Sequence, residues 1–249
     1  MPAIRALPLA FSVFVALAAP ALAETGQGLP GAADRVLEKS DARLVAADSS
    51  YEMELFVEAP GGRALRYRLR NYVKDSSAQR AIFEEPDFDR GDSAIRRGDR
   101  AYFKNSAWPK YDAMNARSSF MDSPFSWEDA LGPGLSDSYE LTGLRWDDSS
   151  GERLLRCVLK PLKAGGYRKI ELWLRPGSYQ TVKRVYFTPS GREWKTAVYS
   201  FPEADSSAAW KVSMVDESTR ASASISVGPR RPEKMPDSFF EPTAQNLGK

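Results

Sequence analysis

From Tyr51 onward the apolar side chains fall on every second position, and this alternation leaves little choice of fold. Tyr51, Met53, Leu55 and Val57 alternate with Glu52, Glu54 and Glu58, and Leu65, Tyr67 and Leu69 alternate with Arg66, Arg68 and Arg70. Successive side chains of a strand point to opposite faces, so each run has one apolar and one solvated face. The second half repeats the device in "SYELTGLRW", "RLLRCVLKP", "YRKIELWLR", "TVKRVYFTP" and "EWKTAVYSF", and then in "AWKVSMVDES" and "ASASISVG". Turn residues separate the runs at Gly61-Gly62, Gly165-Gly166, Pro176-Gly177 and Ser190-Gly191, as hairpins require. No helix pattern follows the glycine pairs, so they read as turns and not as phosphate cradles. The expectation is a mainly β chain of about ten or eleven antiparallel strands, without the repeat period of a propeller or solenoid. Helices are few. "AADRVLEKSDARLV" predicts one with Val36, Leu37 and Leu44 facing inward, and "PDSFFEP" predicts a last turn. So many one-sided strands must wrap around a core. They either close into a barrel or stay half closed, with helices over the concave face.

The first residues read as an export signal. "MPAIRALPLAFSVFVALAAPALA" has one basic residue, Arg5, then an apolar run ending in Ala21-Leu22-Ala23. Pro8 and Pro20 interrupt the run, which is short for a membrane span and ends in the small residues a signal peptidase needs. Residues 1–23 are therefore expected to be a signal peptide cleaved after Ala23. No cysteine follows the cleavage site to carry a lipid, and no later segment is apolar enough to span a bilayer.

Several function classes drop out on composition. The 35 lysines and arginines exceed the 33 acids by two, and one of them, Arg5, lies in the signal. That balance gives nucleic acid no concentrated basic face. Histidine is absent, which removes Ser-His-Asp and Cys-His catalysis and histidine-bound zinc. The single cysteine, Cys157, shares a strand face with Leu155 and Leu159, so it reads as a buried residue and not a nucleophile. "EEPDFDRGD" has the acids of a calcium loop, but its glycine falls one place early, and Gly98 stands where the bidentate acid belongs; it reads as a turn. No cofactor is expected. A histidine-independent carboxylate hydrolase stays open as a rival, although no acid pair stands out and only Trp173 and Tyr179 offer sugar-binding aromatics.

The stretch "SSFMDSPFSWEDALG", Ser118 to Gly132, fits neither strand nor long helix. Ser126 to Asp129 has the Ser-x-x-Asp spacing of a capping box, which predicts a helix of one or two turns ended by Gly132-Pro133. Phe120, Met121, Phe125, Trp127 and Leu131 would be presented around it. Two readings stay open: a plug whose aromatics fill the concavity, or a cover whose aromatics line a pocket.

The same stretch carries a resemblance. "RAYFKNSAWPKYDAMNARSSFMDSPFSWEDAL" resembles the motif of the outer-membrane lipoprotein-sorting proteins, the LolA-like periplasmic carriers, through Ser119, Phe120, Met121, Ser123, Phe125, Ser126, Glu128 and Asp129. Trp127 stands where that family has tyrosine, Asp122 where it has glycine, and Pro124 where it has an acid. The ending "MPDSFFEPTAQNL" is similar to the family's C-terminus. The resemblance implies an antiparallel half-barrel, with residues 24–249 as a single LolA-like β domain in the periplasm. It implies lipid or lipoprotein acyl chains as cargo, and an RND-type membrane exporter as a partner. A lipid-sensing regulatory protein of the same fold is the alternative, since it needs the same cavity. The expected lining joins the segment's apolar residues to the apolar face of the meander, namely Leu155, Leu159, Ile170, Leu172 and Leu174.

Overall fold

The computed structural model describes residues 33–58, 64–108, 110–131, 134–163, 167–202 and 209–243. The expected signal peptide, the turns at Gly61-Gly62 and Gly165-Gly166, and the Gly132-Pro133 stop lie outside them. Helix α1 (Ala33–Leu44) comes first. Strands β1 (Ser49–Glu58), β2 (Ala64–Asp75), β3 (Ala78–Glu85), β4 (Ser93–Arg97), β5 (Arg100–Lys104) and β6 (Asp112–Met114) follow. Two short helices, α2 (Trp127–Leu131) and α3 (Leu135–Ser138), lead into the second run. That run comprises β7 (Tyr139–Asp147), β8 (Leu154–Pro161), β9 (Lys169–Leu174), β10 (Thr181–Phe187), β11 (Glu193–Ser200), β12 (Trp210–Asp216), β13 (Ser222–Val227) and β14 (Arg231–Pro232). The turn expected at "PDSFFEP" is a 3₁₀ turn over Asp237–Phe240.

The fourteen strands of the described residues belong to one antiparallel sheet, ordered β6-β5-β4-β3-β2-β1-β13-β12-β11-β10-β9-β8-β7, with β14 beside β1. The count exceeds the ten or eleven expected. The excess comes from short strands: β4 and β5 have five residues, β6 three and β14 two, too few to display a period of two.

Pairing between the β1 and β13 neighbours joins the N-terminal hairpins to the C-terminal meander. Register then stacks apolar rungs. Leu55 faces Tyr67 on one side and Ile225 on the other, while Leu155, Cys157 and Leu159 face Leu174, Leu172 and Ile170. The side chains of Leu55, Leu69, Cys157, Leu159, Leu172 and Leu174 are fully buried. In α1, Val36 and Leu37 are buried as expected, while Leu44 is only half-buried.

The sheet is open but strongly curled. Lys163, just past β8, pairs with Asp99 in the β4–β5 turn at 3.4 Å. Nine strand steps separate β4 from β8 in the sheet order, roughly 40 Å if the sheet were flat. The fold is thus a half-barrel whose two ends approach along a seam without strand pairing among the described residues. One continuous core fills it, drawing on both halves of the sheet, α1, α2 and α3.

Candidate functional site

The segment from Ser118 to Leu131 enters the concave side as a tight loop. The Phe120 N–H donates to the Phe125 carbonyl at 2.7 Å, and the Trp127 N–H to the Ser118 carbonyl at 3.2 Å. Met121 and Asp122 turn the chain with φ of +52° and +56°, a region that favours glycine. That accounts for the glycine this motif has where Asp122 stands. The capping box forms as its spacing predicts: the Asp129 N–H donates to Ser126 Oγ at 3.1 Å, and the Ser126 N–H donates to Asp129 Oδ2 at 2.9 Å.

This cap aims the aromatics inward. Trp127 meets Phe120 edge-on at 4.8 Å and Phe103 at 5.5 Å, and Phe83 packs on both Phe120 and Phe103. Phe120 is 0% exposed, Phe125 2% and Trp127 4%. The segment fills the concavity, as a plug does. The Trp127 indole N–H is buried with no partner among the described residues.

Beside the plug lies a buried polar cluster. Tyr167 Oη donates to Asp129 Oδ2 at 2.7 Å, Lys195 Nζ donates to Tyr167 Oη at 3.0 Å, and Lys195 stands 3.8 Å from Asp129. The Arg184 guanidinium lies over the Tyr199 ring at 5.1 Å. Burial pushes the Tyr167 and Tyr186 hydroxyls well above their ordinary range, so they stay protonated donors. Burial opposes the Arg184 charge, but Tyr199, Tyr186 and Asp41 outweigh it and its pKa rises. Glu128 is raised by burial first and by the Asp129 charge second. Asp129 already accepts from Ser126 and Tyr167, so its first role is to hold α2 against the sheet.

Two spaces adjoin these groups. A cavity of about 90 Å³ lies between α1, α3 and the β10–β11 region, touching Leu44, Ile170, Arg184, Tyr186 and Tyr199. It has room for a few waters. A cavity of about 310 Å³ opens at the seam, between the β4–β5 hairpin, α3 and the end of β8. That volume is where ligand pockets begin. Glu128 and Tyr139 touch both spaces and form the wall between them.

Phe120, Phe125, Trp127, Leu131, Leu155, Leu159, Ile170, Leu172 and Leu174 all belong to the one buried core, with Met121 packed on it half-buried. Of these, Trp127 reaches the seam cavity and Ile170 the smaller one. Tyr167, which parity in "YRKIELWLR" would set on the face of Lys169 and Trp173, is buried at 3%; it precedes the strand, so strand parity does not govern it. Trp173 and Tyr179 are not open platforms. Trp173 lies between Arg156 and Lys183 and donates to Asp147 at 2.7 Å, and Lys39 covers Tyr179. "EEPDFDRGD" forms a 3₁₀ turn at Asp87–Asp89, in which Arg90 pairs with Asp87. Sequence reasoning missed Lys195, Arg184 and the seam residues. Cross-strand register was the missing signal: Arg184 pairs with Leu172 and Ala197, which places a cation in an apolar row.

A family model described as that of an uncharacterized protein matches residues 75–246. Among solved structures, the chain is similar to a LolA superfamily protein from Nitrosomonas europaea, with TM-score 0.74, 18% identity and coverage of 84% of this chain and 97% of that one. It is also similar to a protein described as an outer membrane lipoprotein-sorting protein domain from Vibrio parahaemolyticus, with TM-score 0.71, 18% identity and coverage of 86% and 97%. At this identity the likeness shows the fold. A comparison with curated proteins finds no match.

Proposed function

Because the chain belongs to the family matched over residues 75–246 and has a LolA-like fold, we propose that it is a periplasmic carrier. Its cargo is lipid, or the acyl chains of a lipidated protein, bound at the open seam of the half-barrel. The observation that carries this reading is the seam itself: a curled sheet left unclosed, with a cavity of about 310 Å³ where its ends approach. Acyl burial supplies about 0.8 kcal/mol per methylene, so a carrier needs apolar space with an entrance. The Lys163–Asp99 pair across the seam is exposed on both sides; solvent screens such a pair, and parting it costs little. Fold analogy to a lipoprotein-sorting domain supports the cargo class.

The export reading of residues 1–23 supports a periplasmic location. Delivery to an RND-type exporter belongs to the same proposal, on the strength of the motif between Ser118 and Gly132. Among the described residues no helix is long and apolar enough to cross a membrane. The test is mass spectrometry of organic extracts from protein isolated from its native compartment. A bound acyl lipid or acylated peptide is expected. Protein that carries none, and takes none up from vesicles, would overturn the reading.

A further inference from the structure

The seam cavity is not uniformly apolar. Ala101, Ala116, Trp127, Pro161 and Leu162 supply apolar wall, and Leu162 is 58% exposed. Four cations, Arg96, Arg100, Arg117 and Lys163, line the same space against three acids, Asp99, Glu128 and Asp137. Lys163 already engages Asp99. Burial and then Asp129 raise the pKa of Glu128, while Arg117 and Lys195 pull it down, and the cations at the seam outnumber the acids by one. The balance at the seam is therefore cationic.

Arg96 is the unusual member. It is 4% exposed. Its terminal nitrogens donate to the backbone carbonyls of Gly98, at 3.0 Å, and Ser76. Its Nε has no partner among the described residues, and Asp137 and Asp75 act on it by charge, opposing the effect of burial. Burial pushes its pKa down to about 10, so it keeps its charge at neutral pH. Buried charges are ordinarily paired, because desolvation is costly. A guanidinium held this way at the wall of an open cavity is a ready partner for a planar or tetrahedral oxyanion.

We propose that the seam cavity takes an amphiphile with an acidic head, a carboxylate or phosphate, whose apolar tail lies against Trp127, Pro161 and Leu162 and whose head faces Arg96 with Arg100 and Lys163 at the rim. The inference rests on the carrier reading and narrows it to acidic lipids. Lys163 on one side of the seam and Arg100 on the other then serve the cargo together: an anion between them draws the β8 end toward the β4–β5 hairpin.

Calorimetric titration with four probes tests this: a long-chain fatty acid, the fatty alcohol of equal length, a lysophosphatidic acid and inorganic phosphate. In the unaltered protein both acidic lipids should bind about tenfold or more tightly than the alcohol, the scale of one charge-assisted hydrogen bond. Inorganic phosphate should bind far more weakly than the lysophosphatidic acid. Arg96→Gln should bring the acid-to-alcohol ratio toward one while the alcohol still binds. The exposed pair of changes Arg100→Glu and Lys163→Glu should lower the ratio too, and it keeps the test decisive should Arg96→Gln misfold. Equal affinity for acid and alcohol would overturn the head-group inference and leave the carrier reading standing. Phosphate binding as tight as the lysophosphatidic acid would also overturn it, since the site would then serve a free anion. Failure of all lipids to bind would defeat both.

Discussion

Replacing Trp127 with alanine separates filling from covering. Trp127 is 4% exposed and wedged between Phe120 and Phe103 at 4.8 and 5.5 Å. Truncating a buried aromatic costs about 3–5 kcal/mol, and each aromatic pair adds about 0.5–1.5 kcal/mol beyond area burial. One effect works the other way. The indole N–H is buried without a partner, and removing such a group recovers about 1–3 kcal/mol. The three together leave a net loss of about 4 kcal/mol. For a domain of this size each kcal/mol shifts Tm by about 2–4 °C, so Tm should fall by about 8–16 °C. Trp127→Phe keeps most of the packing and discards the orphan N–H, and should stay within about 1 kcal/mol of the parent. Urea denaturation with far-ultraviolet circular dichroism measures both. A Trp127→Ala variant less than about 1 kcal/mol destabilised, but weakened in lipid binding, would refute the plug geometry.

Asp129→Ala removes the acceptor shared by Ser126 and Tyr167 and leaves Lys195 buried without its carboxylate; the expected cost is about 3–5 kcal/mol, against about 1 kcal/mol for Ser126→Ala, and the same denaturation series ranks them. Glu128 touches Asp129, Arg117, Tyr139 and Lys195 electrostatically, and burial raises its folded pKa above the unfolded value. The folded state therefore holds that proton longer, and stability declines as pH rises from the ordinary glutamate range through the raised folded value, then levels. Glu128→Gln should flatten that decline and be the more stable protein at neutral pH, which denaturation at stepped pH reads directly. Cys157 is 0% exposed and burial pushes its thiol up to about 12, so a thiol reagent should label it only at the rate of unfolding; rapid labelling of native protein would contradict its placement.

Where one face of a strand was apolar and the other charged, the fold was legible. In β1 and β2 the alternation placed Met53, Leu55 and Leu69 inward, and the structure buries all three. The Ser126–Asp129 cap was legible because its bonds are local. The buried polar cluster was not, because its partners come from distant segments and break the alternation rule. In β11 the inward face carries Lys195, Ala197 and Tyr199, while Val198 on the other side is 51% exposed; apolar alternation alone inverts that strand. In β10 the register slips between Thr181 and Lys183, which moves Arg184 into the row of Leu172 and Ala197. The seam cavity depends on curvature that brings the two ends of the sheet order together, and no short stretch of sequence encodes it.

Lipid transfer between membranes tests the carrier most directly. Donor vesicles hold a fluorescent acidic acyl lipid with a quencher, acceptor vesicles hold neither, and the mature chain is added in increasing amounts. A carrier should give a transfer rate that rises in proportion to protein concentration and falls when Arg100→Glu and Lys163→Glu are introduced together. A rate equal to spontaneous exchange at every protein concentration would contradict the carrier reading.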